Sequence, residues 1–125
     1  VIDYVLEGKE LTYPEISAIV VNHGTNDGAA TEADFKAGYI AVLEKLVTKF
    51  PNTPIFAVVP YGQGRSTVIK QAVEEIANDN VHYISTAGWS FTTTDGLHPD
   101  AAGGKALGTK LAEAITNILG ESYFN

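Results

Sequence analysis

Asp95-Gly96-Leu97-His98, followed by Pro99, sets a carboxylate and an imidazole three residues apart. An imidazole with an ordinary pKa of about 6.5 can take the proton from a hydroxyl as that hydroxyl attacks an acyl carbon at neutral pH. It does so best when a carboxylate on its far ring nitrogen fixes the tautomer and stabilises the imidazolium. The spacing lets Asp95 fold back onto His98, Gly96 permits the tight turn, and Pro99 suits the start of a helix. The competing reading of the same residues is a surface aspartate beside a histidine at a helix start.

A second group, Gly24-Thr25-Asn26-Asp27, directly follows the apolar run Ala18-Ile19-Val20-Val21. Stabilising an oxyanion takes donors fixed where negative charge develops, and the Asn26 amide, projecting from a turn at a strand end, is such a donor. Gly24 lets backbone approach a substrate closely. Asp27 fits a structural role, accepting backbone N–H bonds to hold the turn. The same residues also make an ordinary strand-to-helix turn, for which Gly, Asn and Asp are standard.

Short β-type runs alternate with helical periodicity, so these motifs sit in parallel α/β layering. Residues 1–14 form a lead-in ending at Pro14. Ile16–Asn22 reads as a strand buried on both faces. Thr31 caps a helix with Asp34 at the third helical position, and Phe35, Tyr39, Val42, Leu43, Leu46, Val47 and Phe50 form its apolar stripe. Ile55–Val59 is the second strand. Ser66 caps a second helix with Ile69, Ala72, Val73 and Ile76 inward. Val81–Ser85 is a third strand, and a long loop leads to a helix over 101–119. That helix turns Leu107, Leu111, Ala114, Ile115 and Ile118 to the core and ends at Gly120. In parallel sheets, ligands bind at the carboxyl ends of strands, and both motifs fall on that rim.

Other residues share the rim. Trp89 and Phe91 lie on the loop with Asp95 and His98, where Trp89 either stacks on a sugar ring or anchors the loop to the core. Tyr61 and Gln63 follow the second strand and are candidates to shape a substrate cleft, while Arg65 reads as a solvated charge. His23 reads as a structural histidine and His82 as a surface one. The histidine spacing gives no metal site, and no pattern requires a cofactor.

The sequence is 45% apolar and 18% charged, enough apolar content for one globular domain over residues 1–125. Its net charge of −7 disfavours nucleic acid and anionic membranes. No apolar run approaches the roughly 20 residues of a membrane span. The absence of cysteine excludes disulfides and thiolate chemistry. A neutral substrate such as a sugar ester meets no obstacle.

The order and context of the two motifs resemble the SGNH (GDSL-type) hydrolase family. Val20-Val21-Asn22-His23-Gly24-Thr25-Asn26-Asp27 and Asp95-Gly96-Leu97-His98-Pro99 look especially like its carbohydrate-esterase-like branch, over about Ile16 to Leu119. The resemblance implies a three-layer, flavodoxin-like fold. It also implies serine-dependent hydrolysis of small acyl esters, plausibly acetyl groups on carbohydrate. His98 would then be the base and acid, Asp95 its orienting partner, Asn26 an oxyanion donor and Gly24 the shaper of the turn. It favours secretion over a cytoplasmic location.

The chain departs from the family at the nucleophile. The family's serine lies in a Gly-Asp-Ser motif after the first strand, and Ser17, Ser66, Ser85, Ser90 and Ser122 all lie in other contexts. The expectation is therefore a C-terminal portion of such an esterase without its N-terminal strands, inactive or nearly so by itself. The strand Ile16–Asn22 would lack a neighbour on one side, inviting a complementing N-terminal segment or self-association. The alternative from another class is a non-catalytic carbohydrate-binding module on the same fold, using Trp89 and Tyr61. An unrelated doubly wound domain fits less well, since no phosphate-binding glycine pattern is present.

Overall fold

Three short strands, β1 (Ile19–Val21), β2 (Ile55–Val58) and β3 (Val81–Ile84), pair in the order β1-β2-β3 in a computed structural model that describes residues 15–125. The lead-in expected over residues 1–14 lies outside the described residues. Both pairings are parallel, with Ile19 opposite Ile55 and Ile55 opposite Val81. Parallel strands need crossover connections, which α1 (Glu32–Lys49) and α2 (Ser66–Ile76) supply, and α3 (Ala101–Leu119) follows β3.

The side-chain period of two along a strand divides the core into two layers. On one face, Val21, Ile55 and Ala57 meet Phe35, Tyr39, Leu43 and Leu46 of α1 and Val68, Ile69 and Ala72 of α2. On the other, Phe56, Val58 and Ile84 meet Leu111, Ala114 and Ile115 of α3, with Trp89 packed alongside. The result is the expected three-layer α/β arrangement. Every residue of β2 is buried, as a continuous apolar run in a central parallel strand should be.

Local chemistry sets the helix boundaries. Thr31 Oγ1 accepts from the Asp34 N–H at 3.1 Å and donates to Asp34 Oδ2 at 2.7 Å, which closes the expected cap. Gly120 ends α3, its N–H bonding to the Thr116 carbonyl. Two expectations need correction. The cap residue of α2 is Arg65, in a left-handed conformation and with no side-chain capping bond, and Ser66 is the first helical residue. Ile118 is 40% exposed rather than inward, because Ala114, Ile115 and Leu119 already fill the contact with the sheet. The first strand is shorter than expected, and the third ends one residue before Ser85.

Candidate active site

All three strands deliver their carboxyl ends to one rim. From β1 comes the segment Asn22–Ala30, from β2 the loop Pro60–Arg65, and from β3 the long connection to α3 that carries Asp95 and His98.

That long connection is closed at its neck. The Asp100 N–H donates to the Thr92 carbonyl at 3.1 Å, and Thr92 Oγ1 donates to Asp100 Oδ1 at 2.6 Å. The same Asp100 oxygen caps α3 by accepting the Gly103 N–H at 2.7 Å. Gly103 is required there for space, since a Cβ at that position would stand 2.1 Å from the Thr92 carbonyl oxygen. The Asp100 carboxyl is held below its usual range, first by the Thr92 hydroxyl and then by the Gly103 N–H. Above the neck, Thr93 and Pro99 form an antiparallel bridge, and the Thr94 N–H donates to the His98 carbonyl at 3.0 Å.

At the tip, Asp95 does fold back onto His98. Its Oδ2 lies 2.5 Å from His98 Nδ1, while Oδ1 accepts the backbone N–H groups of His98 at 2.7 Å and Leu97 at 3.0 Å. Gly96, at φ 83°, makes the turn. These bonds hold the Asp95 carboxyl well below the usual carboxylate range. The His98 backbone N–H contributes most, then the imidazole, then the Leu97 N–H. With Asp95 ionised, Nδ1 carries the proton, so in the neutral ring Nε2 is the basic nitrogen. The His98 side chain is 70% exposed, and among the described residues no hydrogen bond engages Nε2.

Gly24 is buried at φ 128°, and a Cβ there would meet Phe35 Cζ at 3.2 Å and Pro60 Cγ at 3.3 Å. Both conformation and space therefore select glycine. Asn26 stands exposed on the turn beyond it, and among the described residues its side chain makes no hydrogen bond. Asn22 Nδ2 donates to the carbonyls of Val58 and Val59 at 3.4 Å, tying the end of β1 to β2. No hydrogen bond joins Asn26 to the Asp95–His98 pair or either motif to a serine, among the described residues.

The middle loop lies between the two motifs. Tyr61 stacks on Trp89, centroids 6.3 Å apart, and takes the edge of Phe91 at 6.0 Å. Burial pushes the Tyr61 hydroxyl up from its ordinary value. Trp89 packs on the second core layer, so at least one of its faces anchors the loop. Gln63 Nε2 donates to Thr86 Oγ1 at 2.7 Å, and Thr86, 1% exposed, donates to the Val59 carbonyl at 3.2 Å. Arg65, expected to be a solvated charge, donates through Nη2 to the carbonyls of Asp27 and Ala30 and lies 5.1 Å from the Phe35 ring centroid. Its partners come from a distant loop, which sequence does not display. His82, expected at the surface, is half-buried and stacks on Phe56 at 5.3 Å, and burial lowers its pKa. His23 is exposed at the end of β1, with no packed role.

Thr86, Thr92 and Asp100 were not singled out by sequence reasoning. Asp100 was findable, because Asp before an alanine-rich helix start is a standard cap. Among the described residues no group of three or more His, Asp or Glu gathers as a metal site, and no helix is long and apolar enough to cross a membrane. A depression of about 590 Å³, bordered by Ser17, Phe50, Asn52 and Tyr123, lies at the amino ends of the strands, opposite the rim. Glu15 and Lys49 also border it, and neither motif, Gly24–Asp27 or Asp95–His98, reaches it.

The fold has a solved counterpart. A crystal structure of a carbohydrate esterase family 2 enzyme with a carbohydrate-binding domain, from Corynascus thermopiles (Myceliophthora fergusii), matches 83% of this chain with a TM-score of 0.66 and 23% identity. The likeness is one of fold. The chain spans 37% of that protein's length. No protein-family profile matches the sequence, and no curated protein does.

Proposed function

We propose that this chain is the base-bearing part of a serine esterase of SGNH type that hydrolyses small acyl esters, with acetyl esters of carbohydrate as the substrate class. The observation that carries the reading is the Asp95–His98 pair: one carboxylate oxygen on Nδ1, the other satisfied by two backbone donors, and Nε2 presented to solvent. In this reading His98 takes the proton from an attacking serine and returns it to the leaving alcohol. Asp95 orients the ring, Asn26 donates to the tetrahedral oxyanion, and Gly24 shapes the turn that carries Asn26. Tyr61 and Gln63 from the loop after β2, and Trp89 from the connection after β3, would contact the substrate. The likeness to an esterase fold supports this reading, and the acetyl-carbohydrate substrate is carried over from the resemblance.

The serine would come from sequence outside these 125 residues, with β1 receiving the segment that brings it. Fluorophosphonate labelling of the 125-residue chain, compared with the chain extended upstream in its gene, tests this. The expected result is no label on the short form and label on a Gly-Asp-Ser serine in the long one. Label on Ser85 or Ser90 would show an internal nucleophile and overturn the split site. No label on either form would favour the carbohydrate-binding alternative.

A further inference from the structure

We propose that Gln63 and Arg65 are positioning residues that brace the two motif-bearing loops from the loop between them, an inference that rests on the rim being an acyl-transfer site. Both are left-handed without being glycine, at φ 64° and 65°, on either side of Gly64. Such backbone is unfavourable for residues with a Cβ and persists where surrounding contacts over-determine it. Here the contacts lead opposite ways.

Arg65 reaches back to the first loop. Its Nη2 bridges the carbonyls of Asp27, at 2.5 Å, and Ala30, at 2.7 Å. The guanidinium rests against Phe35, and the Arg65 stem stands 3.5 Å from where a Gly24 side chain would begin. Arg65 thus bonds the turn after Asn26 and fills the space beside Gly24 before it. Because Asn26 has no hydrogen bond of its own among the described residues, the direction of its amide depends on how firmly that turn is held. A planar guanidinium does this with little loss of freedom per bond, which a flexible ammonium cannot match.

Gln63 reaches forward to the third loop. It donates to the buried Thr86 hydroxyl, whose own proton goes to Val59. From there the Trp89 N–H bonds to the Thr86 carbonyl at 3.1 Å, and Trp89 and Phe91 close on Tyr61. The segment leading to Thr92 and the His98 loop is therefore fixed to the same loop that fixes Asn26. The distance between oxyanion donor and imidazole is set by these two arms.

The test is NMR relaxation on the 125-residue chain, read at the backbone and at the Asn26 side-chain amide. In R65M the backbone order parameters of Asn26–Ala30 should fall from about 0.85 to below about 0.6, and that of the Asn26 side-chain amide should fall below its own wild-type value. R65K should recover part of the loss, and the amides of α1 and α2 should not change. Q63L should loosen 86–89 and leave Asn26 rigid. An unchanged Asn26 amide in R65M would overturn the proposal, since mere packing would not reach that group. If R65M does not fold, the wild-type chain still decides. A braced Arg65 gives resolved, slowly rotating Nη protons, and averaging like that of a free arginine overturns the brace. None of these readouts needs turnover. Loop order lost as expected, while no fluorophosphonate labels the chain extended upstream in its gene, would leave the brace standing and remove the acyl-transfer reading.

Discussion

Asp95 has its charge assigned by its surroundings, and this makes the smallest scale testable. Because its pKa is depressed in the folded chain, Asp95 contributes stability above the ordinary carboxylate pKa of about 3.9. That contribution is lost only as pH falls through the lower folded value. The Asp95 Cγ chemical shift should therefore titrate with a midpoint below about 3.9, and one at or above it would contradict the three-bond geometry. In D95N the side-chain nitrogen can no longer accept from Nδ1. The imidazole ¹⁵N spectrum should move from one tautomer, protonated at Nδ1, towards a mixture. In the serine-bearing protein the same change should lower kcat by roughly 10⁴-fold. This pair was legible in the sequence because both partners lie within one tight turn, where spacing nearly fixes distance. Arg65 and Thr86 were not, because their partners lie 35 to 38 and 23 to 27 residues away.

Among the elements, α3 and the loop before it depend on two neighbouring glycines with opposite requirements. Glycine inside a helix ordinarily costs about 0.5–1 kcal/mol relative to alanine, and at Gly104 nothing lies within 4 Å of an added Cβ. Gly104→Ala should therefore raise stability by about that amount. At Gly103 the Thr92 carbonyl stands 2.1 Å from the same position, so Gly103→Ala should instead lower stability by about 1–3 kcal/mol. It should also shift the His98 resonances. Urea denaturation and NMR shifts separate the two variants. On α1, Thr31→Ala should cost about 1 kcal/mol and leave the His98 signals unmoved. The cap of α1 was legible because Thr31 and Asp34 form a local pattern. The cap of α2 was not, since Arg65 occupies it through tertiary bonds rather than a capping side chain. Ile118 follows the helical period yet stays exposed, because the period gives the face of a helix but not how far the sheet extends beneath it.

For the whole molecule, the central strand was the easiest part to read and the sheet edge the least complete. β2 is buried throughout, so a continuous apolar run sufficed. β1 pairs only with β2 among the described residues, and Val20 is 44% exposed on the face that α3 covers elsewhere. An apolar edge strand is a template for further pairing. The 125-residue chain should self-associate with concentration in sedimentation experiments, and Val20→Lys should reduce this without lowering the unfolding midpoint. The neck formed by Thr92 and Asp100 bears on the molecule's kinetics. Since Asp100 closes the loop and caps α3 with the same oxygen, the neck cannot open without uncapping the helix. It should open all-or-none, with the amides of Thr94, His98 and Gly103 exchanging with solvent at one common opening free energy. The imidazole would then be either fully aimed or wholly released, with no population in between.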